Sequence, residues 1–306
     1  MPEKHNHEKH SHNHDNHNHG LSKNILLSFI LNTTFACIEL TGGIITNSQA
    51  IISDSIHDFG DSISLGLSYF LEKKSTAGRT EEFNYGTRRL SLLSGLISGC
   101  ILISGSIVII ISSIPRLVNP EKINFQGVIW IALFGVVVNG MVYLKNRKEE
   151  SLNGKMVSWH FLEDALGWIA VLISGIINLF VNLPILDSSL AIAIAFFTLY
   201  RVTQNLIKIY NVFMQKSPKD FDRVNFEKLI NDDPNILTYH DLNIWSLDGQ
   251  KHILSVHLVL KENTANQQIN ILKDALNHNL EKLNVNHCTI ETEFKSDNCH
   301  KKYLEN

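Results

Sequence analysis

The sequence predicts an α-helical membrane protein: six transmembrane helices followed by a small cytosolic α+β domain of αββαβ, ferredoxin-like order. Three observations carry this expectation. The chain is 44% hydrophobic, a share that would suit a soluble protein if it were evenly spread, but its apolar residues are gathered into six long runs between residue 24 and about residue 212. Each run approaches the roughly 20 mostly apolar residues that a helix needs to cross a bilayer core. The last 90 or so residues are polar and switch between helical and strand periodicity.

The first 20 residues set His5, His7, His10, His12, His14, His17 and His19 among Asn, Lys, Glu and Asp. Such a tract buries nothing and is expected to be disordered, and imidazoles on a floppy chain capture Zn, Cu or Ni loosely. A merely solvated tail is the competing reading. No short apolar h-region precedes the first run, so no cleavable signal peptide is expected.

The runs fall at roughly 24–46, 48–72, 90–113, 127–144, 157–182 and 187–212. The first contains Asn32 and Glu39 and ends in Gly42-Gly43; a lone Glu in lipid must face inward and find a partner. The second carries Asp54, His57, Asp58 and Asp61 on one stripe, at spacings of three and four, with Gly60, Ser64 and Ser68 as small residues for close helix approach. Phe83-Asn84-Tyr85-Gly86 reads as a turn back into the membrane. Ser94, Gly95, Ser98, Gly99, Ser104 and Gly105 make a small-residue face on the third run, which Pro115 and Pro120 should close. Asn139 is the one strongly polar group of the fourth. The fifth holds His160, Glu163 and Asp164, and Asp187 opens the sixth.

Charge placement orients the spans. Lys73, Lys74, Arg79, Arg88 and Arg89 follow the second run, and Lys145, Arg147, Lys148 and Lys155 follow the fourth. The loops after the first and fifth runs have no Lys or Arg, and the third loop has only Arg116 and Lys122. The positive-inside rule then puts both termini in the cytoplasm. The net charge of -3, without a basic stripe interleaved with aromatics, argues against nucleic acid as a partner. Cys37, Cys100, Cys288 and Cys299 lack the pattern of a disulfide framework.

The chemistry lies in two stretches, Ser53-Asp54-Ser55-Ile56-His57-Asp58-Phe59-Gly60-Asp61 and Trp159-His160-Phe161-Leu162-Glu163-Asp164. Each sets a His and an Asp one helical turn apart, on one face. If the faces meet, two imidazoles and two carboxylates converge into a tetrahedral N2O2 site suited to a divalent metal such as zinc. Ionisable groups at membrane depth are costly and mark ion routes. The bland alternative is a helix-packing hydrogen bond in each pair, and its repetition on two helices weighs against it.

In the tail, residues 223–231 look helical, 239–245 alternate as a strand, Asp248-Gly249 turns, and 252–260 alternates again. Ile269, Leu272, Leu276, Leu280 and Leu283 keep helical spacing over 266–283, and 288–294 closes as a strand. So small a domain is short of core and gains by dimerising.

With these elements placed, the chain resembles the cation diffusion facilitator family, zinc-exporting branch, over nearly all of residues 23–294. The likeness is carried by Asn47-Ser48 leading to His57-xxx-Asp61, by His160-xxx-Asp164-Ala165-Leu166-Gly167, by Phe83-x-Tyr85-Gly86, by Glu39-Leu40-x-Gly42-Gly43 and by His240-Asp241-Leu242-Asn243-Ile244-Trp245-Ser246-Leu247. The resemblance implies a homodimer that exchanges cytosolic divalent metal for protons by alternating access, with His57, Asp61, His160 and Asp164 as transport ligands. It also implies a cytosolic metal site at His240, His257 and Glu293, with His287 and Cys299 as nearby candidates; for each of these singly, an ordinary surface residue is the competing reading.

The implied organisation is a disordered His-rich tail at 1–22, a transmembrane domain at 23–213 and a cytosolic metal-binding and dimerisation domain at 214–306, in a multi-pass protein of the plasma membrane. Three departures stand out. Thr80, Phe83 and Thr87 occupy the places of a further loop site, so none is expected there. Ser91 stands near the place of a usual carboxylate. Asp58 and Glu163 replace apolar or small residues, close enough to accept a ligating imidazole's free N–H or to enter the coordination sphere.

Metal binding requires neutral His and ionised Asp, so metal entry displaces protons. The expected activity is therefore efflux of a divalent cation, Zn2+ foremost, by proton antiport without ATP, since no Gly-x-x-x-x-Gly-Lys-[Ser/Thr] loop is present. A transporter preferring Cd, Co, Mn or Fe is the nearest alternative. A membrane metallohydrolase is remote, for the chain lacks His-Glu-x-x-His.

Overall fold

The computed structural model describes residues 15–75, 80–147 and 152–297. In chain order the elements are α1 (Asp15–Thr46), α2 (Gln49–Ser75), α3 (Leu90–Val118), α4 (Phe125–Asn146), α5 (Leu152–Val181), α6 (Ile185–Phe213), α7 (Arg223–Asp232), β1 (Ile236–Ser246), β2 (His252–Leu260), α8 (Asn266–Glu281) and β3 (Val285–Phe294). They form two compact units, one running to residue 74 and resuming at 94–204, the other made of 75–93 with 205–306.

In the first unit, α1, α3, α4, α5 and α6 each contain a stretch long and apolar enough to cross a membrane. α2 is of similar length but carries Asp54, Asp58 and Asp61, which lower its hydropathy. Close packing seats it among the others. Gly60 of α2 lies under Leu102 of α3, where an added Cβ would come within 2.4 Å of Cδ2, and Gly105 of α3 admits Ile56. Gly66 does the same for Phe29 of α1. Missing side chains let backbones approach, the main source of packing energy between helices in lipid. A second cluster, Ala132 with Trp168, Val171, Ala191 and Ala195, ties α4, α5 and α6.

Two elements differ from the sequence expectation. Residues 15–22, expected to be disordered, continue α1 as helix; extending an existing helix adds one bond per residue and escapes the nucleation cost. His5, His7, His10, His12 and His14 lie outside the described residues. Pro115 does not stop α3, which runs on to Val118, because a proline in the last turn forfeits only one ladder bond.

The turn between α1 and α2 holds the start of the helix that matters most. Asn47 adopts φ +58°, a left-handed conformation that Asn tolerates better than most residues. Arg116 donates to its carbonyl and to Oδ1 at 3.1 and 3.0 Å. Asp187, at the start of α6 and 3% exposed, caps α2: it accepts from the Ser48 hydroxyl and from the backbone N–H of Gln49, the latter at 2.7 Å. A carboxylate at a helix N-terminus satisfies orphan donors and meets the positive end of the helix dipole.

In the second unit the sheet order is β1-β2-β3, β1 antiparallel and β2 parallel to β3. Alternate residues of the central strand, Leu254, Val256, Leu258 and Leu260, bury against Phe226 and Ile230 of α7 and Leu272, Leu276 and Leu280 of α8. Strand pleating turns the intervening side chains, His257 among them, to the opposite face. The turn at 83–86 also belongs here: Gly86 N–H donates to the Phe83 carbonyl at 2.9 Å, the Tyr85 ring packs edge-on against His287, and Arg88 pairs with Asp248 at 3.6 Å.

Asp187→Ala leaves the Ser48 hydroxyl and two α2 N–H groups without their buried acceptor. It should cost about 3 kcal/mol and lower the thermal unfolding midpoint in detergent, with Asp187→Asn recovering part of the loss; an unchanged midpoint for the Ala variant would contradict the capping role.

Candidate functional site

In the first unit α2 and α5 bring their His–Asp pairs together. His57 and Asp61 share one face of α2, as do His160 and Asp164 on α5, and the α2 carboxylate sits between the two rings. His160 Nε2 is 3.3 Å from Asp61 Oδ2 and 3.6 Å from Asp164 Oδ2, while His57 Nε2 is 3.8 Å from Asp61 Oδ2. The two imidazole centroids are 6.2 Å apart. Ligand atoms bound at about 2.0–2.2 Å to one tetrahedral ion stand about 3.3–3.6 Å from one another. The observed separations lie at or just beyond that range. His57, Asp61 and His160 meet within one ion's reach, and Asp164 joins through His160.

The flanking carboxylates take other places. Glu163 pairs with Arg201 of α6, so its charge is engaged by a guanidinium rather than by the His–Asp group. Asp58 is 8% exposed; its carbonyl accepts from Asn32 Nδ2 at 3.0 Å, and Asn32 also donates to Ser62. Neither Asp58 nor Glu163 falls within the close candidate metal group of His57, Asp61 and His160.

A second group forms on the open face of the sheet. His240, His257 and Glu293 place ligand atoms within 4.8 Å of one another, with the two rings 5.1 Å apart. His240 Nε2 and Glu293 Oε1 are hydrogen-bonded at 2.6 Å, so an ion between them would have to spread them. His257, 5% exposed, also meets Glu291 at 3.2 Å and Asp241 at 3.7 Å.

Consecutive strand residues point to opposite faces, yet His240 and Asp241 both reach His257. The reason is a β-bulge: His240 pairs with His257 and Asn243 with Ser255, so β1 spends one extra residue there. Asp241 takes φ +50° to absorb it. Bulges re-aim side chains in this way.

His287 is not brought to this group; its ring lies against Tyr85. Cys299 falls outside the described residues. Cys288 faces the helices as part of the core, where burial pushes its thiol up to about 12 and keeps it from acting as a thiolate ligand. Sequence reasoning missed Asp241 and Glu291. Nothing in the sequence marked Asp241, since 239–245 reads as one alternating strand and the bulge after His240 shows only in the pairing.

The chain is similar to known proteins along most of its length. Residues 25–214 match the model of the cation efflux transmembrane domain, and residues 218–294 match that of the cytoplasmic domain of cation efflux proteins. The chain is 32% identical to a Bacillus subtilis protein named as a cadmium, cobalt and zinc/H(+)-K(+) antiporter, over 96% of this chain and 93% of the relative. It is 28% identical to the metal cation efflux system protein CzcD of Cupriavidus metallidurans, over 90% and 87%. It is 22% identical to the zinc transporter ZitB of Escherichia coli, over 91% and 89%.

Asp61 faces both imidazoles, so Asp61→Ala should weaken Zn2+ binding at the membrane group by about 100-fold or more, beyond the loss typical of a supporting residue. Competition with a chromophoric chelator would measure it, on purified protein carrying His240→Ala and His257→Ala to silence the sheet. Wild-type affinity in that background would remove Asp61 from the site.

Proposed function

The chain belongs to the cation efflux family, the cation diffusion facilitators, and from that premise we propose that it exports Zn2+ in exchange for protons through His57, Asp61, His160 and Asp164. It is a multi-pass membrane transporter of divalent metal cations, not an enzyme. The observation that carries the site assignment is the approach of His160 to Asp61 and Asp164 at near-ligand spacing.

Two imidazoles and two carboxylates suit zinc's tetrahedral preference, and relatives named for zinc, cadmium and cobalt support that class of cargo. The pairing of Glu163 with Arg201 supports zinc further, since a free third carboxylate would favour harder ions of higher coordination number. Binding needs neutral imidazoles and ionised carboxylates, so metal arriving from the cytosol displaces protons, and protons arriving from the other side displace metal. Alternating exposure of the one site to the two sides then couples the flows. The exchange uses no ATP.

The second domain, near 214–306, is read as the dimerising and metal-sensing part, with His240, His257 and Glu293 as ligands of a regulatory zinc. The match to the family's cytoplasmic domain supports this. The Lys and Arg of the second and fourth loops support cytoplasmic termini for a transmembrane part near 23–213, and the membrane proposed is the plasma membrane.

Vesicles containing the purified protein, acidic inside and neutral outside, should accumulate Zn2+ from the medium while their lumen alkalinises. Dissipating the proton gradient should slow uptake about tenfold, and Asp61→Ala should abolish it. Uptake at full rate without a gradient would overturn proton exchange, and full-rate uptake by Asp61→Ala would overturn the site.

A further inference from the structure

Glu39 lies within the apolar part of α1 and belongs to neither metal group. It is 1% exposed; no donor is well aligned with either of its carboxyl oxygens among the described residues, and the one side chain within hydrogen-bonding reach is another carboxyl, that of Asp58. The groups that act on it across the bundle are all carboxyls: Asp58 and Asp54 of α2 and Asp164 of α5. α4, which also packs against α1, brings no ionisable side chain between Phe125 and Val142. Asn32, two turns earlier on α1, spends its amide on the Asp58 carbonyl and the Ser62 hydroxyl.

An ionised carboxylate buried without a donor or a cation costs several kcal/mol. The neutral acid avoids that cost and supplies an O–H of its own. We propose that Glu39 is a proton-binding site of the transport cycle, holding one proton in the cation-free half of the cycle and releasing it when the divalent cation binds. The inference rests on the proposed antiport and adds to it a proton carrier that does not touch the metal.

Asp58 provides the link. Its carboxyl lies within hydrogen-bonding reach of Glu39, and on α2 it directly follows His57 of the metal group. A divalent cation entering that group adds positive charge near Glu39 in a medium that screens poorly. In the inward-facing state the Glu39 O–H bond breaks, the proton leaves to cytosolic water, and a carboxylate remains. In the outward-facing state the cation departs and the carboxylate takes a proton from external water. This group thus carries one proton inward for each cation outward, with no change of oxidation state. Burial suits such a carrier, because a group sealed from both sides does not leak protons between turns.

The test titrates Zn2+ into full-length protein in weakly buffered detergent solution and counts released protons with an indicator dye. Glu39→Gln should bind Zn2+ within about threefold of wild type yet release about one proton fewer per ion, and Glu39→Asp should restore the wild-type count. Equal counts in wild type and Glu39→Gln, loss of Zn2+ binding in Glu39→Gln, or a deficit that persists in Glu39→Asp would each overturn the proposal. Should Glu39→Gln fail to fold, infrared difference spectra of wild type decide: Zn2+ must remove a protonated-carboxyl C=O band that shifts in Glu39→Asp, and absence of that loss overturns it. Zinc uptake by wild-type vesicles judges the antiport separately, so failure there is distinguishable from failure of the Glu39 assignment.

Discussion

The cost of carrying charge into hydrocarbon governs this molecule. α2 takes Asp54, Asp58 and Asp61 into the bundle beside His57, and such groups persist only when they face the interior and find partners. Much of the surrounding architecture serves that requirement. Gly60, Gly66 and Gly105 let α2 sit close to its neighbours, Asp187 anchors its first turn, and α5 presents His160 to Asp61. Each arrangement offsets a penalty that a uniformly apolar helix would not incur. A cation that binds there enters a place already organised around negative charge.

The sequence revealed the parts of this arrangement that depend on spacing along one element. His57 with Asp61 and His160 with Asp164 are one turn apart, and an imidazole and a carboxylate on one helical face are visible without a structure. That Asp61 stands between the two rings is a matter of helix rotation and packing, which no single helix records. Asp187 was seen only as the opening of a span, because its role depends on Ser48 and Gln49, more than a hundred residues earlier. The engagement of Glu163 by Arg201 was hidden for the same reason. Asp241 escaped because a bulge breaks the two-residue period on which strand reading rests.

The two candidate metal groups differ in how their side chains are held. The membrane group draws on two helices whose relative rotation sets the ligand spacing, so a small rotation would open or close it. The sheet group draws on neighbouring strands locked by ladder bonds, and its His240 and Glu293 already grip one another. Under the transport reading, the first construction suits repeated capture and release. The second suits a site whose occupancy changes slowly and reports the metal level.

The bulge at Asp241 has a consequence beyond the metal. β1 is an edge strand, and a regular edge invites another chain to add a strand and propagate into fibres. The extra residue, with φ +50° at Asp241, breaks the even row of donors and acceptors and puts a carboxylate on the rim. Strand addition by a second copy is thereby disfavoured along β1. The irregularity that gathers side chains around His257 also guards this edge against self-templated strand addition.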